Sequence, residues 1–318
     1  MVAVQKKYLS QFTMFGTVVT ITLFAPNQPL IEQVYDYLVK MDQFFSMNRP
    51  DSELMRINQQ AGHAPVTVSS TCFELIQAAI TASRDYQDSF NVLIGPLVKL
   101  WQIGFGGQQV PSQSAIQARL ALMNPADVQL DAVKQTVWLT KPGMMLDLGA
   151  IAKGYFADQV ILQLQQAGVT HAIVNLGGNV KILGENPLTP TGQWVVGIQA
   201  PKAPRGYPAL QLVTPAKTVV TSGIFERYFK VGTKLYHHIL DPQTGYPVEK
   251  PIEQVSIVTT SSTLAEILST VAFFKGATAG RQLIDRLPNV EAIFIDQNQQ
   301  IQTTAGLQHL SEGVYAYE

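Results

Sequence analysis

Cysteine is almost absent: the chain carries one, Cys72, in 318 residues. An internal disulfide is therefore excluded, as is any metal site built from clustered cysteines. Charge is also scarce. Asp, Glu, Lys and Arg make up 14% of the residues, against ~25% in an ordinary soluble domain. The 22 basic and 23 acidic residues nearly cancel, for a formal charge of −1. With no basic excess and no charged tail, the electrostatic footprint of a nucleic-acid binder is missing. No window offers the ~20 continuous apolar residues that a membrane-spanning helix needs. Several catalytic signatures are missing too. Gly149-Ala-Ile-Ala-Lys153-Gly154 has its lysine and glycine in the wrong order for a phosphate-binding P-loop. Gly-x-Gly-x-x-Gly, Gly-x-Ser-x-Gly and His-Glu-x-x-His do not occur, which sets aside the usual dinucleotide-binding, α/β-hydrolase and zinc-protease patterns.

What the chain does have is apolar surface to bury: 46% of its residues are hydrophobic, enough for a sizeable core. Lys6 and Lys7 precede a fairly apolar stretch from Tyr8 to Pro26, so a secretory leader has to be weighed. Thr17, Thr20 and Thr22 interrupt that stretch, Thr20-Ile21-Thr22-Leu23 alternates as a strand does, and no Ala-x-Ala site follows. The expectation is a soluble, cytoplasmic protein. Helical spacing predicts helices over 31–45, 72–84, 112–123, 150–166, 264–275 and 278–287, the fifth closed by Gly276. Strands are predicted over 8–25, 133–139, 172–175, 194–199, 209–213, 218–221, 225–231, 236–240, 255–260 and 290–295. The second half holds hairpin-like runs rather than strict β-α-β alternation. That argues an α+β fold of largely antiparallel sheets flanked by helices.

Four constellations could carry chemistry. In Asp147-Leu-Gly-Ala-Ile-Ala-Lys153-Gly154, small residues lead into a helix start, where a ligand can approach the backbone and an anion is favoured. The same residues also read as an acid near a helix N-terminus and a solvated lysine. Asn175-Leu-Gly177-Gly178 permits close backbone approach, or a plain hairpin turn joining 172–175 to 180–183. Thr221-Ser222-Gly223 is followed by His237-His238-Ile-Leu240-Asp241-Pro-Gln-Thr-Gly245. Strand alternation would turn one of the two histidines inward and one outward, and His238 could serve as a general base for an incoming hydroxyl. Finally, Glu266 and Thr270 stand at i and i+4 on one helix face, with Ser269 beside them. A carboxylate among hydroxyls is a hard-oxygen set suited to magnesium. It is equally an acid favoured by the helix dipole, plus a threonine bonded back to its own backbone.

Taken together and in this order, these segments resemble the ApbE family, the FAD:protein FMN transferases. The resemblance covers nearly the whole chain, 1–318, read as one domain. It rests on Gly16-Thr17, Phe45-Ser-Met-Asn-Arg-Pro-Asp-Ser52-Glu-Leu, and Phe90-Asn-Val-Leu-Ile-Gly95-Pro-Leu-Val-Lys-Leu-Trp101. It continues through Asp147 to Gly154, Asn175 to Gly178, Thr221 to Gly223, His238 to Gly245, and Ala265 to Thr270. It implies cleavage of the FAD pyrophosphate: AMP leaves, and FMN becomes ester-linked to a Thr or Ser of an acceptor flavoprotein. It implies a magnesium ion held by the Ala150 main-chain carbonyl with the Glu266 and Thr270 side chains. It also implies FAD contacts from Asp147, Lys153 and the backbone near Leu240. The resemblance further implies that Gly177-Gly178 and Ser222-Gly223 line the flavin and phosphate cleft, that Phe90 and Asn91 stand where the family meets a flavin or adenine edge, and that His238 is the candidate base.

The chain departs from the family pattern in five places. Glu266 replaces the usual Asp, Ser269 a second acid or small residue, Asn91 the common Asp, Phe15 the Met before Gly-Thr, and Asn48 an aromatic. Two other activities share the same residues. One is an FAD pyrophosphatase, with water as acceptor; the other is an FAD-binding protein without turnover.

Overall fold

The structure is a computed structural model that describes residues 6–47 and 49–318; Asn48 lies outside the described residues. The chain divides into two compact units. One holds the described residues up to Lys40, Lys153–Gly223 and Pro251–Glu318; the other holds Met41–Ala152 and Ile224–Lys250.

The first unit is built on an eight-stranded, wholly antiparallel sheet. Its spatial order is Tyr8–Met14, Thr17–Leu23, Ala172–Leu176, Asn179–Leu183, Thr218–Gly223, Ile252–Thr259, Glu291–Asp296 and Ile301–Thr303. The stretch weighed above as a leader is thus the first hairpin of this sheet. A smaller mixed sheet, in the order Leu307–Ser311, Val314–Tyr317, Pro208–Thr214 and Trp194–Gln199, belongs to the same unit. Ile198, Leu210, Leu212 and Leu307 of the smaller sheet share one core with Val219, Val258, Ile293 and Ile295 of the larger. The helix Ser262–Ile284 packs on the strands Thr218–Gly223 and Ile252–Thr259. Ile252–Thr259 is buried at all eight positions, because a strand covered on both faces has no solvent side to alternate toward. The long helix is interrupted at Gly276 (φ 77°, ψ 172°). The reading of two helices meeting at that glycine holds, since this backbone state suits only glycine.

The second unit contains the helices Glu53–Gln59, Ser70–Asp85, Gly95–Trp101 and Gln113–Leu120. It also has a small sheet of Val66–Thr67, Thr136–Leu139 and Val128–Asp131, and the hairpin Tyr228–Val231/Lys234–His237. Three predicted strands are shorter than expected, and that over 225–231 begins only at Tyr228. The 133–139 run begins only at Thr136, because Asp131 Oδ1 accepts from the N–H groups of Val133 and Lys134 and holds them in a turn. The 236–240 run ends at His237. Periodicity also left out Glu53–Gln59 and Gly95–Trp101. Both are seven residues long, less than the span over which helical spacing can be told from chance. Their terminal signals were present: Ser52 caps the first through its side chain, and Pro96 opens the second. Among the described residues, no helix is long and apolar enough to cross a membrane.

Candidate functional site

One end of the large sheet gathers five of the segments singled out in the sequence. Gly177 (φ 66°) and Gly178 (φ 99°) form a two-residue turn between the paired strands Ala172–Leu176 and Asn179–Leu183. Positive φ at both positions is the hairpin geometry that matches strand twist, and Gly-Gly meets it without strain. The hairpin alternative is therefore observed. A Cβ on Gly177 would lie 2.3 Å from Thr17 Oγ1, so the glycine is also needed for close approach of the next hairpin. That Thr17 hydroxyl is buried and has no hydrogen-bond partner among the described residues. Ser222, at the end of its strand, lies at the same end of the sheet. Ser269 donates to the Glu266 carbonyl (3.0 Å), so its oxygen accepts from the Ser222 hydroxyl at 2.7 Å.

Gly154 explains how Lys153 reaches this cluster. A Cβ there would stand 2.3 Å from the Ser262 carbonyl and 2.8 Å from Glu266 Cγ. The helix Ala152–Gln166 can therefore abut the start of Ser262–Ile284 only with glycine at this place. The contact brings Lys153 Nζ to 3.5 Å from Glu266 Oε1. Asp158, one turn on, ties the two helices. It accepts from the N–H groups of Ser262 and Thr263 and the Thr263 hydroxyl, and it pairs with Lys181. Burial works to raise the Asp158 carboxyl, but Lys181 and the Thr263 donors hold it below its ordinary value. The sequence reading missed Asp158, and no local spacing marks it.

Glu266 itself is buried, 6% exposed. Asn179 Nδ2 donates to its Oε1 at 2.9 Å, the same oxygen that Lys153 approaches. No hydrogen bond falls on Oε2 among the described residues. Both contacts fall on Oε1, which leaves the Oε2 lone pairs available to a further ligand. Thr270 Oγ1 donates to the Glu266 carbonyl at 3.3 Å. The bond back to the helix is thus present, yet it spends the hydroxyl proton and leaves the oxygen's lone pairs for a ligand. No group of three or more His, Cys, Asp or Glu able to hold a metal occurs among the described residues. The donor set is instead one carboxylate with hydroxyls. That suits a hard ion which keeps waters and shares its shell with phosphate oxygens, as magnesium does.

In the second unit, Phe90–Trp101 is joined to the start of the Asp147 segment. The buried Asn58 clamps the Leu146 backbone through both ends of its amide (2.8 and 3.0 Å). Gly95 lets Met145 pass, since a Cβ there would lie 2.7 Å from the Met145 carbonyl oxygen. The Asp147 N–H donates to the Val92 carbonyl at 2.8 Å. Phe90 is buried in the core. Asn91 Oδ1 accepts from Leu93 N–H and its Nδ2 donates to the Met123 carbonyl, so its amide caps the short turn that carries Val92. The half-buried Asp147 accepts from Gly149 N–H at 2.8 Å. Burial raises its carboxyl above the ordinary value, against the Gly149 donor and the positive charge of Arg227. Ala150 follows in the same turn, two residues before the helix that was predicted to start there begins at Ala152.

The loop after the second hairpin is pinned by Trp101, whose buried Nε1–H donates to the Gly245 carbonyl at 2.8 Å. Asp241 Oδ1 accepts from Gln243 and Thr244 N–H, and Leu240 is buried, bridged to Pro247. The two histidines separate as expected. His237 is 5% exposed. Its Nε2 contacts the Val248 carbonyl at 2.9 Å, and its Nδ1 accepts from Ile239 N–H. Burial lowers its pKa from 6.5 to about 4. His238 is only half-buried, and its Nδ1 lies 3.2 Å from the Arg227 carbonyl. A carbonyl can only accept, so Nδ1 carries the hydrogen and the neutral ring keeps its basic lone pair on Nε2.

The depressed His237 value has a consequence for stability. The unfolded chain takes up a proton near pH 6.5 that the folded chain refuses until about pH 4. Stability is complete above pH 6.5 and falls as the pH drops through this window, by about 2 kcal/mol between pH 7 and pH 5. The urea midpoint is expected to fall over that range. In His237→Gln, whose amide can still donate to the Val248 carbonyl, the slope should flatten.

Comparison with known proteins gives a consistent picture. The sequence profile of the ApbE family matches residues 15–294. A relative from Klebsiella pneumoniae, named FAD:protein FMN transferase, is 40% identical over 92% of this chain and 90% of its own length. One of the same name from Treponema pallidum is 36% identical over 87% of this chain and 80% of its own. Among solved structures, the ApbE protein of Thermotoga maritima superimposes with a TM-score of 0.83 at 28% identity, covering 94% of this chain and 97% of that one. The Pseudomonas stutzeri flavinyl transferase ApbE gives 0.81 at 28% identity, covering 96% and 97%.

Proposed function

The chain belongs to the ApbE family, and from that premise we propose that it transfers the FMN moiety of FAD to a Thr or Ser hydroxyl of an acceptor flavoprotein, releasing AMP. The single observation that best supports this reading within the molecule is Glu266, a buried carboxylate whose Oε1 takes both Asn179 and Lys153, beside the hydroxyls of Ser269 and Thr270.

On the first unit we assign Glu266 and Thr270 as side-chain ligands of magnesium, with Lys153, the Gly177–Gly178 turn and Ser222 as FAD contacts. On the second unit, taken by itself, we propose Asp147 and the backbone at Leu240 as FAD contacts and the Ala150 main-chain carbonyl as a metal contact. Phe90 and Asn91 are proposed as FAD contacts by family position, the Asn91 amide also capping the turn that carries Val92. When bound, magnesium would offset the charge of the pyrophosphate and of the departing phosphate.

The protein's own groups do the rest. His238 Nε2 accepts the proton of the acceptor hydroxyl as its oxygen bonds to the flavin-side phosphorus, while the bridging P–O bond breaks and AMP carries away the electron pair. The Arg227 carbonyl holds the ring in the tautomer that can take that proton. Lys153 supplies positive charge to the phosphates.

We propose the cytoplasm as the compartment of the reaction. Fractionation of expressing cells checks that placement. The deciding experiment incubates the chain with FAD, magnesium and a threonine-bearing flavoprotein domain, and weighs the acceptor by mass spectrometry. An added FMN mass that EDTA abolishes is the expected result. Free FMN and AMP with an unmodified acceptor would replace transfer by hydrolysis, and intact bound FAD would replace it by carriage.

A further inference from the structure

We infer that Asn179 is a positioning residue for the metal-facing carboxylate, and that Ser262 anchors its amide; this rests on the reading of Glu266 as a magnesium ligand. Asn179 closes the Gly177–Gly178 hairpin opposite Leu176 and is 2% exposed. Its amide is fully spent. Nδ2 donates to Glu266 Oε1 at 2.9 Å, and Oδ1 accepts from the Ser262 hydroxyl at 2.7 Å. Ser262 Oγ in turn lies 3.1 Å from Thr218 Oγ1. The chain of bonds has a direction. Turning the amide over would place Oδ1 against a buried, acceptor-only carboxylate, so Glu266 selects the orientation in which Nδ2 donates. Ser262 then anchors that orientation by donating to Oδ1.

The consequence is chemical. A neutral donor on Oε1 fixes the carboxylate rotamer and shares its charge without neutralising it. The Oε2 lone pairs are then held where a hard cation can take them. Lys153 cannot do this alone, because it stands at 3.5 Å on a side chain that is 32% exposed. Outer partners of this kind commonly govern metal affinity by ~10–100-fold.

The test titrates Mn²⁺, as a paramagnetic substitute for magnesium, into the metal-free full chain and follows loss of the free-ion EPR signal. Asn179→Ala is expected to weaken Mn²⁺ binding by ~10–100-fold. Ser262→Ala should weaken it severalfold, because Asn179 remains but loses the donor that anchors its Oδ1. Thr218 keeps an acceptor in that variant, the Val180 carbonyl at 3.0 Å, so it should fold normally and carries the test if Asn179→Ala does not. Ser262→Thr restores the hydroxyl and should restore affinity. The double variant should bind no more weakly than Asn179→Ala alone, the mark of two residues acting in series.

Thermal melting of the metal-free proteins supplies the contrast. A purely structural role would lower the melting temperature and leave Mn²⁺ affinity within twofold of wild type, which would overturn the inference. Glu266→Gln separates the two levels. If wild type takes up no Mn²⁺, or Glu266→Gln binds it equally well, the metal reading fails and takes this inference with it. If Glu266→Gln loses the ion while Asn179→Ala and Ser262→Ala keep it, only the positioning role falls.

Discussion

Glu266→Gln should lower the rate of FMN transfer about a thousand-fold and remove its dependence on magnesium, while the protein stays folded. A thousand-fold is ~4 kcal/mol of transition-state stabilisation, the scale expected when the charged anchor of a catalytic ion is neutralised. The size follows from how little else is there. Glu266 is the one carboxylate in the assigned ligand set, and its neighbours Ser269 and Thr270 offer only hydroxyls. Folding should survive for equally local reasons. Glutamine keeps the length and volume of glutamate, and its amide oxygen can still accept from Asn179 Nδ2. Lys153 is 32% exposed, so on losing its partner it can turn to water at little cost. The measurement is the rate of adduct formation on the acceptor across a magnesium titration, read beside a melting curve. A rate with unchanged magnesium dependence would move the ion to other residues.

The second large effect belongs to His238. Replacing it by alanine should slow transfer by ~10²–10⁴, the usual worth of a positioned base, and leave FAD affinity within severalfold. Asparagine sharpens the test. Its Nδ2 can donate to the Arg227 carbonyl as Nδ1 does, but it offers no basic nitrogen. If the ring serves as a base, His238→Asn is as slow as His238→Ala. If it serves only to hold the loop, asparagine restores the rate. A parallel loss of FAD binding in both variants would reassign His238 to the binding surface.

Much of this molecule was legible in local patterns. Period-3.6 spacing found the long helices, and alternation found Thr17–Leu23. The break at Gly276 was visible because glycine ends a helical run in a way other residues do not. What was lost was short or irregular. Glu53–Gln59 is too brief to show a period, and the strand ending at His237 stops before the loop that carries His238 and Leu240. The order of motifs marked the candidate site, though each motif alone admitted a plain structural reading. In several places that plain reading is also present. Gly177-Gly178 is a tight turn, Thr270 bonds back to its helix, and the Asn91 amide caps a turn. These structural duties do not compete with ligand contact, because each leaves backbone or lone pairs unspent.

The sequence by itself determined the family, the fold class and the identity of the candidate acid, base and ligand residues. Those depend on residue type and on spacings of a few positions. Only the tertiary structure decided which histidine is buried, why Gly154 must be glycine, and what Asn179 and Asp158 do. Asn179 meets Glu266 across 87 residues and Asp158 meets Ser262 across 104. No local period encodes a contact of that span. It exists because two helices and a hairpin arrive at one end of a sheet, where a buried carboxylate must find its donors among whatever the fold has brought there.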